Sequence, residues 1–281
     1  FPQCLINSLN GDKRKLIIKK ICLKPSKETY SYGSPSRRLC NMFWDSINWK
    51  YLSNKLKNDL QFFDIGCGNG NYGKFFKKIS GDYFHSYEGI DIYKDDLFPV
   101  EFKHYLDKAE NVSNYLSNSN CIVSQSALEH IEYDEQVLSE VIKHFNRKEK
   151  PFIQIHLIPA RASLLLYLWH GWRQYSKNNL GRISETLKLH FDVNVVVVPL
   201  GGLRSFVRHF IHITIPHYIT FFFTKKINSY VWEKSDSKVS KILERTVLKE
   251  LETNDLLPSF WGLIIASKEI NIDNLFNKKR Y

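Results

Sequence analysis

A cluster of glycines follows an apolar run in the first half of the chain. Residues 63–73 read Phe-Asp-Ile-Gly-Cys-Gly-Asn-Gly-Asn-Tyr-Gly. Glycine lets the backbone turn tightly after a strand and lets a ligand approach the amino terminus of the next helix closely. Two spacings are present, Gly66-x-Gly68-x-Gly70 and Gly68-x-Gly70-x-x-Gly73, and the second formally matches the dinucleotide-binding fingerprint. The segment therefore predicts a loop that holds a nucleotide-like cofactor.

Asp64 distinguishes between two classes of cofactor. A carboxylate near the end of an apolar strand is costly to bury unless a positive or hydrogen-donating group meets it. The pyrophosphate of a dinucleotide would be repelled there, whereas a sulfonium cofactor with a free ammonium group supplies the partner. Asp91 ends the next strand pattern, where an acidic group suits a ribose diol. Asp107 follows a short third strand, and we expect it either to face an adenine or to lie exposed in a loop.

Two histidines are candidates for a general base. A hydroxyl that must act as a nucleophile needs a base within hydrogen-bond reach, and histidine is the usual base near neutral pH. Ligands of open α/β sheets bind beyond the carboxyl ends of the strands, where we expect His156 and His130. We rank His156 first and His130 second. For each, the alternative is a structural histidine that hydrogen-bonds the backbone.

An aromatic and basic cluster lies between the fifth and sixth predicted strands. It contains Trp169, His170, Trp172, Arg173 and Tyr175. Aromatic rings suit the apolar faces of sugars, and an arginine fork suits phosphate or carboxylate. We therefore predict that His170, Trp172, Arg173 and Tyr175 bind the substrate. The alternative is a helix that packs its aromatic residues into the core and leaves Arg173 in solvent.

A third histidine group has spacings that a metal site could use. It contains His209, His212 and His217, but no carboxylate or cysteine accompanies them closely and their neighbours are apolar. We predict no metal there. The apolar run through residues 218–223, which basic residues flank, is expected to form a lid over the substrate or to touch a membrane surface.

Strand and helix patterns alternate from Leu60 onward, which is typical of βαβ units. The predicted fold class is α/β: a Rossmann-like, seven-stranded, mostly parallel sheet with helices on both faces. Residues 1–59 are predicted as an N-terminal extension or helical cap, in which residues 35–39 form a loop that enters a helix. Residues 60–281 are predicted to form the main domain, with long insertions at about 158–190 and 200–259.

Composition limits the choice of partners and compartment. The five cysteines of the 281-residue chain are scattered, which argues against both a disulfide framework and a structural zinc site. We expect a cytoplasmic protein, with peripheral contact to an anionic membrane left open. The net charge of +11 indicates anionic partners in general, but the basic residues are spread along the chain, and nucleic acid is not favoured.

Residues 64–70, Asp91 and residues 126–131 together resemble the class I S-adenosylmethionine-dependent methyltransferases. The resemblance covers roughly residues 60–200 and the last strand. It implies a sheet with a reversed last hairpin and S-adenosyl-L-methionine as the cofactor. The expected cofactor-binding residues are Asp64, Gly66, Cys67, Gly68, Asn69, Gly70, Asp91, Ile92, Asp107 and Gln125.

A narrower likeness extends over most of the chain. Residues 35–44, 124–130, 154–159 and 168–176 resemble methyltransferases encoded in bacterial surface-polysaccharide clusters. This likeness implies O-methylation of a sugar hydroxyl in an O-antigen or capsule precursor, with a glycan or a nucleotide- or lipid-linked sugar as the acceptor. The alternatives are an RNA methyltransferase, a nicotinamide-dependent oxidoreductase, and an inactive methyltransferase fold that serves as a binding subunit.

Overall fold

A computed structural model describes residues 2–9, 14–31, 33–57, 60–166, 171–224 and 237–276. Within these ranges seven strands form one sheet: β1 (Leu60–Ile65), β2 (Phe84–Asp91), β3 (Lys103–Leu106), β4 (Cys121–Gln125), β5 (Ile153–Pro159), β6 (Val193–Leu200) and β7 (Phe260–Ser267). The order across the sheet is β3-β2-β1-β4-β5-β7-β6. Strand β7 runs antiparallel to both of its neighbours, and the other paired strands are parallel. The predicted α/β fold class is confirmed.

Helices cover both faces of the sheet. The described α-helices are α1 (Pro2–Leu9), α2 (Lys27–Tyr30), α3 (Pro35–Asp45), α4 (Trp49–Leu56), α5 (Asn71–Ser80), α6 (Asp134–Arg147), α7 (Lys177–His190), α8 (Leu203–His209), α9 (Ile215–Thr224) and α10 (Lys238–Val247). One core cluster joins α3, α4 and α5 to the sheet, and a second joins α6 and α7 to its opposite face. Strands β6 and β7 are buried along nearly their whole length, and both read as nearly continuous apolar runs.

The N-terminal region contributes to the main core. Leu39, Phe43 and Trp44 of α3 are buried in the same cluster as Phe62 of β1. The prediction of a loop over residues 35–39 was wrong, because α3 already begins at Pro35. A proline at the first helical position needs no backbone donor and has a preset φ, and Ser34 Oγ accepts a 3.3 Å hydrogen bond from the Arg37 backbone N–H.

The two long regions between late strands contain further helices. Residues 158–190 hold the end of β5, a short 3₁₀ turn (Arg161–Leu165) and α7. Residues 200–259 hold α8, a π-helical turn (Phe210–Thr214), α9 and α10. Helices α8 and α10 pack against each other and against α3. Among the described residues, no helix is both long enough and apolar enough to span a bilayer.

Candidate active site

The carboxyl end of β1 carries a buried carboxylate. Asp64 is 2% exposed, and the Tyr87 hydroxyl donates a 2.6 Å hydrogen bond to its Oδ2 atom. The other oxygen, Oδ1, is buried and has no hydrogen-bond partner among the described residues. Since a buried acceptor without a partner is costly, Oδ1 marks a place where a ligand's donor can bind.

The surroundings of Asp64 disfavour its charge. Burial raises the pKa of Asp64 to about 7, the Tyr87 hydrogen bond opposes this rise, and the negative charge of Asp91 adds to it. The carboxyl group therefore ionises only partly at neutral pH. A cation bound at Oδ1 would favour the ionised form and lower this pKa. The site fits a ligand that carries an ammonium group.

The glycine loop turns between β1 and α5 directly beside this carboxylate. Gly66 has φ +75°, and its N–H donates to the Ile90 carbonyl at 2.8 Å. Gly68 N–H donates to Asp91 Oδ2 at 2.9 Å, and Gly70 is the N-terminal capping residue of α5. These contacts bring the ends of β1 and β2 together, so that Asp64 and Asp91 lie on either side of one loop.

Gly66 is required for both its conformation and its small size. A Cβ atom there would lie 2.4 Å from the Ala127 Cβ, and the left-handed backbone costs any other residue about 1–2 kcal/mol. We expect Gly66→Ala to lower the free energy of unfolding by about 3 kcal/mol or more, measured by urea denaturation. Gly68→Ala is the matched control, because Gly68 also has a positive φ but nothing lies within 4 Å of its added Cβ.

The same comparison can be made in a second background. Ala127→Gly removes the atom that the new methyl group would meet. Gly66→Ala made in that background should cost about 1–2 kcal/mol, which is the backbone contribution alone. An equal cost in both backgrounds would show that crowding at Ala127 is unimportant.

The predicted ribose and adenine contacts lie at the ends of β2 and β3. Asp91 Oδ1 accepts a 3.2 Å hydrogen bond from the Tyr93 N–H, and Ile92 is exposed beside it. Asp107 lies close by, since its N–H donates to the Asp91 carbonyl at 3.1 Å. Asp107 accepts hydrogen bonds from Asn111 and Tyr115 side chains, both at 2.8 Å, and these bonds lower its pKa. They also shape its loop, so Asp107 is held in place within the protein.

The remaining loop residues have structural contacts of their own. Cys67 is buried, and its N–H reaches the Ile90 carbonyl at 3.3 Å. Asn69 Oδ1 accepts a 3.2 Å hydrogen bond from the Asn71 N–H in the first turn of α5. Gln125, at the end of β4, accepts a 3.1 Å hydrogen bond from Trp44 Nε1. The structure thus places the whole predicted cofactor-binding set around the carboxyl ends of β1, β2, β3 and β4.

A polar cavity of about 350 Å³ opens on the β4 side of this set. Its lining residues come from the α3 amino terminus, the β4–α6 connection and the ends of β5 and β7: Ser34, Ser36, Arg37, Gln125, Ser126, Glu129, His130, Pro159 and Phe260. Ser126 has φ +54°, an uncommon conformation for a residue other than glycine. Such strain is typical of functional turns, and it sets the direction of the chain that carries Glu129 and His130.

Glu129 is a candidate that the sequence reasoning missed. Its side chain is fully buried in one wall of the cavity, and this burial raises the pKa of the carboxyl group to about 8. A hydrogen bond from the backbone and the charge of Arg37 oppose the rise. Residues 126–131 were already part of the sequence likeness, but only the structure shows that this carboxyl group is buried rather than solvated.

His130 occupies the rim of the same cavity. It ends a 3₁₀ turn (Leu128–His130) that follows β4 after two residues, and only part of its surface is covered. Partial burial lowers the pKa of His130 below its ordinary value of 6.5. The imidazole is therefore neutral at physiological pH and able to accept a proton from a group in the cavity.

Comparison with known structures supports the same architecture. The plantazolicin methyltransferase BamL, solved with a desmethyl-plantazolicin analogue and SAH (S-adenosylhomocysteine), superimposes with a TM-score of 0.51 at 16% sequence identity, over 86% of each chain. A SAM-dependent methyltransferase from Archaeoglobus fulgidus gives a TM-score of 0.48 at 18% identity, over 86% of this chain and 97% of that one. The likeness to BamL, together with the strand order, shows that the chain has the class I methyltransferase fold. No family model matches the sequence, and a search of curated proteins gave no match either.

The methyltransferase fold separates the two interpretations of the glycine loop. Dinucleotide-binding domains use a parallel sheet with strand order 3-2-1-4-5-6. Here an antiparallel β7 is inserted between β5 and β6. This topology does not support a nicotinamide cofactor at Gly68-x-Gly70-x-x-Gly73.

His156 does not have the position expected of a base in the methyltransferase fold. It lies in the middle of β5 with no exposed surface, and burial lowers the pKa of its imidazole to about 3. Its Nδ1 atom lies 2.9 Å from Ser124 Oγ, and its Nε2 atom lies 3.2 Å from Gln154 Oε1. An imidazole with both nitrogens engaged and no accessible surface cannot reach an acceptor. The geometry therefore indicates a structural role.

Such a role predicts a measurable pH dependence of stability. Because the pKa of His156 is lower in the folded state than the ordinary 6.5, its contribution is lost progressively as pH falls from 6.5 toward 3. We expect His156→Leu to be less stable than wild type at pH 7 by about 2 kcal/mol, because Ser124 and Gln154 lose a partner. Denaturation at pH 5 should show a smaller difference. The same difference in the free energy of unfolding at pH 5 and at pH 7 would contradict a neutral, buried imidazole.

The predicted substrate cluster is divided by the structure. Arg173 forms an ion pair with the buried Asp134, and Tyr175 Oη donates to the same carboxylate at 2.5 Å. Arg173 also donates to the Glu132 carbonyl at 2.6 Å. Tyr175 is buried. Trp172 is partly exposed, and its backbone N–H donates a hydrogen bond to the Glu129 carbonyl. His170 lies outside the described residues. The geometry favours a structural role for Arg173 and Tyr175 over contact with an acceptor.

The histidines of the second long region do not converge. His209 is buried, with its Nδ1 atom 3.5 Å from Ser36 Oγ, whereas His212 lies beside Arg208 on the surface. Among the described residues, no group of three or more His, Cys, Asp or Glu side chains is arranged to hold a metal ion.

Proposed function

We propose that this protein is an S-adenosylmethionine-dependent methyltransferase. The observation that carries the proposal is the buried Asp64 Oδ1 atom, which has no partner among the described residues, at the end of β1 and beside the glycine loop. In the class I fold this position faces the ligand side of the sheet. A ligand with an ammonium group satisfies this oxygen, and a pyrophosphate does not. BamL, which shares the fold, was solved with SAH bound, and this supports the same cofactor class.

The residues around the glycine loop would each bind a different part of such a cofactor. Asp64 would accept hydrogen bonds from the ammonium group, and Asp91 would accept them from the ribose hydroxyls. Residues 66–70 would contact the ligand through their backbone rather than their side chains. Ile92 and Asp107 would lie beside the adenine. When bound, the cofactor supplies an electrophilic methyl group on a sulfonium centre.

We further propose that the acceptor is a sugar hydroxyl of a surface-polysaccharide precursor. The cavity beside β4 supports this choice, because its walls offer hydroxyl, amide and guanidinium groups that suit a polyhydroxylated ligand. His130 is the proposed base: a ring nitrogen accepts the proton of the acceptor hydroxyl as the oxygen becomes the nucleophile. Arg37, which lines the same cavity, would pair with a phosphate or carboxylate of the acceptor.

An acceptor screen tests this function. The purified protein would be incubated with S-adenosylmethionine and panels of nucleotide-linked sugars, lipid-diphosphate-linked sugars, RNA and peptides, and SAH formation would be measured. We expect turnover with a sugar panel. Turnover confined to RNA would favour the RNA methyltransferase alternative, and turnover confined to peptides would replace the sugar with an amine or carboxylate acceptor.

A further inference from the structure

One surface away from the active site combines exposed apolar and basic side chains. Helix α8, the π-helical turn and α9 form one continuous helical segment over residues 203–224. Every fourth residue along it is a large apolar residue: Leu203, Val207, Ile211, Ile215, Ile219 and Phe223. These six side chains are between 40% and 78% exposed. We call them the apolar row.

The apolar row is the outer side of a helix whose inner side is packed. The inner side carries the buried residues Ser205, His209, Ile213 and Thr214. Thr214 Oγ1 donates a 3.2 Å hydrogen bond to the Leu166 carbonyl, which fixes the segment against the rest of the protein. Four residues make slightly more than one turn of an α-helix, so a row of every fourth residue would wind around the helix axis over this length. The π-helical turn at Phe210–Thr214 has fewer degrees of rotation per residue and offsets part of that drift.

Basic residues flank the apolar row. Arg204 and Arg208 are exposed on α8, Lys241 and Arg245 are exposed on α10, and Lys249 is exposed just after α10 ends. Among the described residues none of these five forms an ion pair, as the salt bridges involve other cations. A groove of about 720 Å³ between α8 and α10 is lined by Arg204, Arg208, Arg245 and Lys249 over a floor that includes Val207 and Ile242.

Acidic residues near this surface do not neutralise it. Glu250 is turned onto the first turn of α8, where its carboxylate accepts hydrogen bonds from the Arg204 and Ser205 N–H groups at 2.8 and 3.2 Å. Glu244 is half-buried on the side of α10 that faces Arg38 of α3. The outer surface of α8, α9 and α10 is therefore apolar and cationic together.

We propose that this surface docks onto an anionic phospholipid bilayer. An amphipathic helix lies in the membrane interface with its apolar side chains among the acyl chains and its basic residues among the headgroup phosphates, and the apolar row and groove have this arrangement. A nucleic acid would use the basic residues but leave six apolar side chains uncovered. The charge of the groove selects an anionic lipid over a neutral one.

Docking would also place the acceptor cavity near the membrane. Helices α8 and α10 pack on α3, and Ser34, Ser36 and Arg37 at the start of α3 line that cavity. Arg38 Nη2 donates to Ser240 Oγ of α10 at 2.8 Å, so the connection is direct. A lipid-linked acceptor would then be presented by the same bilayer. The docking proposal itself does not depend on which acceptor is methylated.

Vesicle co-sedimentation of the full chain tests the proposal. The probes are vesicles of phosphatidylcholine with about 30 mol% phosphatidylglycerol, on the order of the anionic content of a cell membrane, and vesicles of phosphatidylcholine alone. We expect binding to the anionic vesicles, weakened by salt. Arg204→Gln with Arg208→Gln should lower the partition coefficient about thirtyfold. Ile211→Gln with Ile219→Gln should lower it at least about tenfold.

Two matched pairs control for charge and hydrophobicity alone. Lys74→Gln with Lys77→Gln removes two exposed cations from α5, and Leu189→Gln with Leu256→Gln removes two exposed apolar residues elsewhere. Both pairs should bind within about twofold of wild type. The proposal is overturned if the control pairs lose as much binding as the test pairs, or if wild type binds RNA but not anionic vesicles. It is also overturned if the only effect of Ile211→Gln with Ile219→Gln is to dissociate a dimer of this protein.

Discussion

Replacing Asp64 with asparagine should remove the affinity for S-adenosylmethionine and at the same time stabilise the ligand-free protein. The loss of affinity follows because the ammonium group would be left without its buried counter-charge. Removing one partner of a buried ion pair costs about 3 kcal/mol or more, which corresponds to at least about a hundredfold loss of affinity. Isothermal titration of wild type and Asp64→Asn at about pH 7.5, above the folded pKa of Asp64, measures this difference.

The gain in stability follows from the raised pKa of Asp64. Its folded pKa of about 7 lies above the ordinary 3.8, so its contribution to stability is complete below about pH 4 and is lost as pH rises toward and past 7. The amide side chain of the Asp64→Asn variant never ionises and avoids that loss. We therefore expect the variant to unfold at a higher temperature than wild type at about pH 8, and the difference to shrink at about pH 5.

A surface control separates this effect from a general change of charge. Asp82→Asn removes an exposed carboxylate from the short turn after α5 and should change neither ligand affinity nor melting temperature. Loss of affinity together with a lower melting temperature in the Asp64→Asn variant would indicate misfolding. Unchanged affinity would show that Oδ1 does not hold the ligand.

Replacing His130 with alanine should lower kcat about 10²- to 10⁴-fold while S-adenosylmethionine binds as before. The imidazole lies at the rim of the acceptor cavity and makes none of the cofactor contacts proposed above. Its pKa is held below 6.5 by partial burial, so the wild-type rate should rise with pH and level off in the acidic range. The measurement is SAH formation with the acceptor that the screen selects.

The pH profile also distinguishes His130 from Glu129. Burial raises the pKa of Glu129 to about 8, so a rate that depends on the Glu129 carboxylate would keep rising through pH 8. Glu129→Gln is the matched variant, because it keeps the shape of the side chain and removes the charge. A flat rate above neutral pH in wild type, with the loss confined to His130→Ala, supports His130. A rise through pH 8 that Glu129→Gln abolishes assigns the base to Glu129.

The sequence predicts the sheet well because strands that are buried on both faces have a strong local signal. Continuous apolar runs such as residues 193–198 have few alternatives to a buried strand, and the glycines after β1 mark the turn that follows it. Asp64 could be singled out for the same reason, since a carboxylate within an apolar run is unusual. The start of α3 was missed because Pro35 was interpreted as a loop residue rather than as the first residue of a helix.

The contacts that were mispredicted depend on residues far apart in the chain. Asp134 binds Arg173 and Tyr175, which lie 39 and 41 positions further along, and nothing in the local pattern indicates that pairing. His156 was expected at a strand end, but β5 continues to Pro159 and covers it. In each case the burial of one side chain decides between a structural and a catalytic role. The sequence pattern does not resolve the burial of individual side chains.

Titration calorimetry of the wild-type protein with S-adenosylmethionine, SAH and NAD is the most direct test of the proposed activity. We expect micromolar binding of the first two ligands and none of NAD. The affinity for S-adenosylmethionine should increase as pH rises through 7, because ionised Asp64 is the form that binds the ammonium group. Binding of NAD alone would contradict the proposal and favour hydride transfer, and binding of none of the three would indicate an inactive methyltransferase fold.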